Sequence, residues 1–286
     1  MKTQKTYQNL KPYEAAFRCP ICKSGMTFPS AASLVCKNRH SFDLSRYGYI
    51  NFLQKQPKPA YSKELFESRR RIFRDGFYDK LIDTIEDMIC IHTSSDSKEF
   101  SILDAGCGEG FFTAKLASTD NTKRNMFAID IEKEAVMMAA RFADGVRCFV
   151  GDLANIPLRD DTMDMVLNIF SPANYDEFFR VLKGDGIVIK VVPNKNYLIE
   201  LRKSAKGQIV DDEYSNELVL NLFGEKLDVL DMKSVTYTAS FSEMQVTDFI
   251  SMTPLMMNVD KAQIDLNRLR EITIDVTVVV GRVRRQ

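Results

Sequence analysis

The 286 residues predict an α/β protein on a doubly wound, mostly parallel sheet with an antiparallel edge, preceded by a small metal-binding segment. Three observations carry this. An apolar run from Phe100 ends in Asp104-Ala105-Gly106-Cys107-Gly108-Glu109-Gly110, a glycine at every second position, and Phe111–Ala117 follows with a helical pattern. Strand-like and helix-like segments then alternate, as a parallel sheet requires. Ahead of them stand Cys19, Cys22, Cys36 and His40, spaced C-x2-C-x13-C-x3-H.

Taken in order, residues 1–16 are polar and expected to fray. Two close ligand pairs of cysteine and histidine suit a tetrahedral Cys3His zinc site. Four protein ligands close the shell, so the metal reads as structural. So short a segment builds little core of its own, and metal binding is expected to supply much of its folding free energy. Tyr47, Tyr49 and Phe42 follow, interleaved with Arg39, Arg46, Lys55 and Lys58. Aromatics beside cations suit unpaired bases and phosphates. Phe42 reads as packing on the knuckle; for the tyrosines, packing and stacking stay open.

Pro57 and Pro59 mark 54–62 as a linker. Lys63–Phe73 and the stretch from Phe77 to Ile89 read as amphipathic helices, the first carrying Arg69, Arg70 and Arg71 with Arg74 directly after it. These arginines and Arg46 are candidate phosphate ligands. The units expected are 1–53, a zinc-binding RNA-recognition domain; 54–76, a linker and basic helix; and 77–286, a cofactor-binding domain.

Further strands are expected over Met126–Asp130, Val146–Val150, Met163–Phe170 and Gly186–Val192. Tyr175–Leu182 reads as a helix closed by a tight turn at Lys183-Gly184-Asp185-Gly186. Residues 194–205 look helical. The tail predicts a strand near Val229–Tyr237, helices near Ser242–Ile250 and Ala262–Leu269, and a final strand Ile272–Val280, the two strands forming an antiparallel edge. Cys90, Cys107 and Cys148 read as small core residues.

Net charge is zero but unevenly spread: residues 1–80 hold 16 Lys and Arg against six Asp and Glu, and residues 81–286 hold 23 against 33. A basic end suggests a polyanionic partner. No apolar run approaches a membrane span, Met1–Leu10 lacks the apolar core of a signal peptide, and the cysteine spacing fits a reducing cytoplasm.

The glycine spacing, G-x-G-x-G with no Walker lysine, argues against dinucleotides and P-loops. With an acid ending the second strand, Asp130, and Asp152 after the third, it resembles the class I methyltransferases that use S-adenosylmethionine. That resemblance implies Gly106, Gly108 and Gly110 around the methionine moiety, Asp130 on the ribose, and Asp152 and Leu153 near the adenine.

The zinc spacing continues into His40-Ser41-Phe42-Asp43 and Gly48-Tyr49-Ile50-Asn51, and the chain also carries Phe170-Ser171-Pro172 and Met252-Thr253-Pro254. Together these resemble the 23S rRNA (guanine-N1)-methyltransferases over nearly the whole chain. The resemblance implies zinc on Cys19, Cys22, Cys36 and His40, and cofactor contacts at Tyr78, at Gly108 with Glu109 and Gly110, and at Tyr197, where some members have histidine. It further implies a homodimer holding an rRNA hairpin loop, and one branch is associated with resistance to tylosin-type macrolides. Asn168, Phe170 and Pro172 flank the expected methyl position. No catalytic base is evident, and Asn168 and Asn174 either hold the target base or merely cap and turn the chain. Two other readings stay open: a methyltransferase acting on a small molecule, which leaves the knuckle and the basic end unexplained, and a non-catalytic zinc module that binds RNA.

Overall fold

The structure is a computed structural model and describes residues 2–93, 99–119, 124–205, 207–208, 215–260, 264 and 269–284. The N-terminal part holds α1 (Lys2–Leu10), a 3-10 turn (Lys11–Ala16), and a small antiparallel sheet of β1 (Met26–Thr27), β2 (Ser33–Cys36) and β3 (Ser41–Asp43). Then come β4 (Tyr49–Asn51), α2 (Lys63–Arg74), α3 (Asp79–His92), β5 (Phe100–Ala105), α4 (Phe111–Ala117), β6 (Arg124–Asp130), α5 (Lys133–Phe142) and β7 (Arg147–Val150). The second half adds β8 (Met163–Ile169), α6 (Tyr175–Val181), β9 (Leu182–Pro193), α7 (Ile199–Ser204), α8 (Glu217–Lys226), β10 (Leu227–Ser240), α9 (Glu243–Met252) and β11 (Glu271–Val283). No helix among the described residues is long and apolar enough to cross a membrane.

The large sheet runs β10-β11-β9-β8-β5-β6-β7-β4. Strands β4 to β9 in it pair in parallel, while β11 pairs antiparallel with both β9 and β10. Strand order reverses between β5 and β8, and ligands bind such sheets at the carboxyl ends beside that reversal.

Alternation along the strands divides the core in two. Ile102, Ala128, Met165 and Ile189 face α3, α4 and α5, whereas Leu103, Phe127, Val166 and Val188 face the other way. On that second face α6 and α8 cover one half. The other half has no crossover helix, because the β7–β8 connection is irregular; α1, the 3-10 turn and the zinc-ligand segment cover it instead. Phe17 and Phe52 pack on Phe149 at 6.0 and 5.9 Å between ring centroids, and Phe17 bridges to Leu158. This segment therefore shares its core with the sheet, and β4 pairs with β7 in register Tyr49–Cys148.

Several expectations change. Residues 2–16 are helical rather than frayed: Leu10 is buried, and Asn9 donates to the Gly145 carbonyl. The turn at Lys183–Gly186 is a bulge inside β9, where the register jumps from Met163–Leu182 to Met165–Ile187. Within 194–205 only α7 is α-helical. Cys90 is exposed, though Cys148 is buried and Cys107 half-buried. Helix α8 was not foreseen, and the helix expected at Ala262–Leu269 lies almost wholly outside the described residues.

Candidate active site and metal centre

Two turns of similar build present the metal ligands. In the first, Lys23 N–H donates to the Cys19 carbonyl at 2.8 Å; in the second, Arg39 N–H donates to the Cys36 carbonyl at 2.9 Å. Lys23 and Arg39 take left-handed φ values of 63° and 64° to close them. The four ligand atoms lie within 4.8 Å of one another, with His40 Nδ1 3.5 Å from Cys19 Sγ and 3.4 Å from Cys36 Sγ. A tetrahedral zinc separates such ligand atoms by roughly 3.5–3.8 Å. Hydrogen bonding to Ser24 draws the Cys22 thiol down to about 5, so it stands as the thiolate that metals take. The donor set fits zinc.

At the carboxyl ends of β5 and β8 opens a cleft of about 1050 Å³. The glycine turn forms its floor. Gly106 has φ 85°, and a Cβ there would lie 1.9 Å from Ser171 Oγ; Gly110 has φ 77°, and its Cβ would lie 2.6 Å from Ala139 Cβ. The first glycine thus admits the turn after β8, and the third admits α5. Gly108 faces the cleft, and its N–H donates to Asp130 Oδ2 at 2.8 Å. Asp130 Oδ1 accepts from Glu132 N–H, also at 2.8 Å.

Acids crowd this floor. Asp104 Oδ2 accepts from the Thr113 hydroxyl, while Oδ1 is buried without a partner. Burial pushes the Asp104 carboxyl up to about 7, the Thr113 bond opposing and Asp130 and Glu109 adding to it. Burial also raises Asp130 and Glu109, against the pull of Arg69. An unpartnered buried acid oxygen among reluctant carboxylates suits a cationic ligand, and S-adenosylmethionine carries both a sulfonium and an ammonium group.

The opposite wall is aromatic. Tyr78 and Tyr197 share a 2.7 Å hydroxyl–hydroxyl hydrogen bond, and Phe170 stacks on Tyr197 at 5.4 Å. Phe170 holds φ 52° and is 36 % exposed, so a strained turn presents its ring to the cleft. The brace behind it is polar. Asn168 donates to the Ala105 and Pro172 carbonyls at 3.0 and 3.1 Å and accepts from Lys190 Nζ, which also donates to the Ser171 carbonyl at 3.0 Å. Burial lowers the Lys190 ammonium to about 8.

A family model described as a methyltransferase domain matches residues 96–239, and one described as RlmA, N-terminal, a zinc ribbon, matches 17–60. YxjB of Bacillus subtilis (strain 168), provisionally named a 23S rRNA (guanine-N(1)-)-methyltransferase, is 38% identical over 93% of this chain and 96% of its own. The chain belongs to the 23S rRNA (guanine-N1)-methyltransferase family. A Streptomyces fradiae member, named 23S rRNA (guanine(748)-N(1))-methyltransferase, is 26% identical over 93% of this chain and 96% of its own. Among solved structures, the PH0226 protein from Pyrococcus horikoshii OT3 overlays with TM-score 0.49 at 18% identity, covering 73% of this chain and 92% of that one. Like its family, the chain is a SAM-dependent methyltransferase with a zinc ribbon.

The structure brings Tyr78, Asp104, Gly106, Gly108, Glu109, Asp130, Asp152, Leu153 and Tyr197 to the cleft, with Phe170 and Pro172. Gly110 lies beneath the floor. Asn168 is fully buried with its amide engaged, and Asn174 caps α6 by accepting from Glu177 N–H at 3.2 Å, so both asparagines have a task within the chain. Tyr49 is 4 % exposed within β4, so it packs and cannot stack a base; Phe42 packs as expected. The guanidinium groups of Arg46 and Arg141 both lie over the Tyr47 ring, at 4.8 and 4.9 Å. Arg71 is taken by Asp248 at 2.6 and 2.7 Å, and Arg70 lies 3.3 Å over the Phe142 ring. Arg46 and Arg74 remain exposed, while Arg69 turns into the cleft. Lys190 was missed. Its signal is a lone cation inside the apolar run Ile187–Val192, where a buried lysine needs partners.

Proposed function

We propose that this chain transfers a methyl group from S-adenosylmethionine to N1 of a guanine in a 23S rRNA hairpin loop. The observation that carries this reading is the seating of the ribbon at the cleft. Asp152 lines both the cleft and a recess of about 380 Å³ whose other wall is Pro20 and Ile21 of the zinc ribbon. An RNA held by the ribbon is therefore delivered to the cofactor. In this reading residues 1–53 recognise RNA, 54–76 bring the basic helix to the cleft, and 77–286 bind the cofactor.

The glycine turn with Asp104 and Glu109 takes the methionine moiety, Asp130 the ribose, and Asp152 and Leu153 the adenine; Tyr78 and Tyr197 close the methionine end. Asp130 has one backbone N–H on each oxygen, and each oxygen keeps a lone pair for a ribose hydroxyl. S-adenosylmethionine supplies a methyl activated on a sulfonium, which leaves two tasks to the protein: alignment, and release of the guanine N1 proton to solvent as the methyl takes its place. Phe170 offers the stacking face for the target guanine, and Asn168 and Lys190 hold the turn that presents it. The cleft volume reaches the top of the roughly 300–1,000 Å³ usual for small-ligand pockets, leaving room for a base beside the cofactor. Arg46 and Arg74 supply phosphate contacts.

A second copy of the chain belongs to this reading. Val229, Leu230 and Met232 on the outer strand β10 are exposed, which supports pairing there, and sedimentation velocity measures it. The same reading places the protein in the cytoplasm with its rRNA.

The deciding experiment is methyl transfer to protein-free 23S rRNA, followed by primer extension. N1-methylguanine cannot pair, so reverse transcription stops one residue before it, at a single hairpin guanine. Transfer to a small acceptor with none to RNA overturns the proposal.

A further inference from the structure

Arg69 sits in α2, a helix whose other arginines point elsewhere. Its guanidinium enters the cleft over the glycine turn, where Nη1 lies 3.8 Å from the Glu109 carboxylate and 3.7 Å from the Cβ position of Gly108. Neither is a hydrogen bond. Among the described residues its hydrogen bond is a 3.4 Å contact from Nη2 to the Met252 carbonyl. A guanidinium has five N–H donors in a rigid fork, so most of this one's capacity is unspent. Its side chain is only 21 % exposed, which makes water a poor substitute for a fixed acceptor. The charge acts on Glu109, Asp130, Tyr78 and Tyr197, so it stands centrally among the cofactor-facing groups.

The placement is built. Arg71, two residues on, forms a two-pronged pair with Asp248 of α9, and α9 ends at Met252, whose carbonyl holds Arg69. Phe66, one turn back, lies under the guanidinium at 5.7 Å. The only other cation lining the cleft among the described residues, Lys190, already donates to Asn168 and Ser171.

S-adenosylmethionine ends in an ammonium and a carboxylate. The acids of the floor suit the first and repel the second. We propose that Arg69 reads the aminoacyl carboxylate of S-adenosylmethionine, and that the Met252-Thr253-Pro254 turn is present to aim it. This rests on the cofactor reading of the cleft and adds the residue that distinguishes the amino acid end from a plain amine. Arg69 is thereby removed from the phosphate ligands of the RNA.

Two ligands differing only in that group provide the test: S-adenosylmethionine and its decarboxylated analogue. Calorimetry on the full zinc-loaded chain compares wild type, Arg69→Met and Arg69→Lys. Arg69→Met is expected to bind S-adenosylmethionine about 30- to 100-fold more weakly, the scale of a lost charge-assisted pair, while holding the analogue as wild type does. Arg69→Lys, with charge but no fork, falls between. Equal weakening of both ligands, or no weakening of either, overturns the proposal. If Arg69→Met fails to fold, Arg69→Lys decides: selective loss of S-adenosylmethionine supports the assignment, and unchanged preference refutes it. Wild type binding neither ligand overturns the cofactor reading itself, a separate outcome.

Discussion

The zinc ribbon and the methyl cleft are both turns lined with groups that need a ligand, yet they are assembled in opposite ways. The ribbon draws its four donors from 22 consecutive residues, and two local turns aim them. The cleft draws its walls from Ala60 to Pro254, and local turns aim only some of them. Tyr78 meets Tyr197 and Arg69 meets Met252 only because β5 and β8 bring their ends together and α2 packs on α9. The ribbon carries its own geometry, whereas the cleft borrows its geometry from the sheet. The difference blurs at one place, because the ribbon's Phe17 and Phe52 finish the core of that sheet.

Removing the metal should break the comparison most visibly. On the order of 10 kcal/mol of zinc binding free energy supports such a segment. If Phe17 and Phe52 are core to the sheet, a strong chelator, or Cys22→Ala, should lower the midpoint of the whole chain in one transition and weaken cofactor binding with it. Two separate transitions in circular dichroism and intrinsic tyrosine fluorescence, with cofactor affinity intact, would show instead that the ribbon stands alone.

The next effect belongs to the cleft floor. Asp104 is raised from 3.8 to about 7 by burial, so its neutral form favours folding below about pH 4 and that advantage is lost as pH rises to 7. Asp104→Asn should therefore match wild type at pH 4 and exceed it above pH 7, by on the order of 4 kcal/mol at most. It should also weaken the cofactor, whose positive charge prefers the ionised acid. Denaturant titrations at both pH values check the first part. An Asn variant no more stable than wild type at pH 8 would mean that Asp104 is stabilised there by something other than its ligand.

Lys190 gives the opposite sign. Its folded pKa, about 8, lies below the usual 10.5, so the buried ammonium costs stability at pH 8 and below, and the cost fades between pH 8 and 10.5. Across that window wild type should gain up to roughly 3 kcal/mol relative to Lys190→Met. A constant difference between the two would place the lysine in water. The smallest effect is expected at Arg71, whose own side chain is 55 % exposed although its partner Asp248 is half-buried. Arg71→Ala should cost about 0.2–1 kcal/mol and leave the salt dependence of RNA binding unchanged.

What was legible in the sequence follows the same division. Strands β5, β6, β7 and β8 stood out because they are short, mainly apolar runs closed by turns or acids. The ribbon stood out because ligand spacing is a local property. Strand β4 did not: three residues are too few to show a period, and Tyr49 beside Arg46 and Tyr47 resembles a stacking surface until its place next to Cys148 is known. Lys190 is likewise silent in one dimension, since only the turn after β8 shows what its ammonium answers. Met252-Thr253-Pro254 was recognisable as a motif, but its carbonyl has a task only once α9 lies against α2.

The pairing of β4 with β7 also bears on how the chain is made. Tyr49–Asn51 leaves the ribosome well before Cys148–Val150, and at ordinary elongation rates the interval of about 100 residues lasts roughly 5–20 s. Through that interval the aromatic side of the ribbon, Phe17, Phe42 and Phe52, has no sheet to lie on. Newly made protein thus passes through a stage in which its amino-terminal end is sticky and its thiols are open. Early capture of the ion shortens the list of wrong partners available to it, because all four ligands are made by residue 40, long before the strands that cover the ribbon.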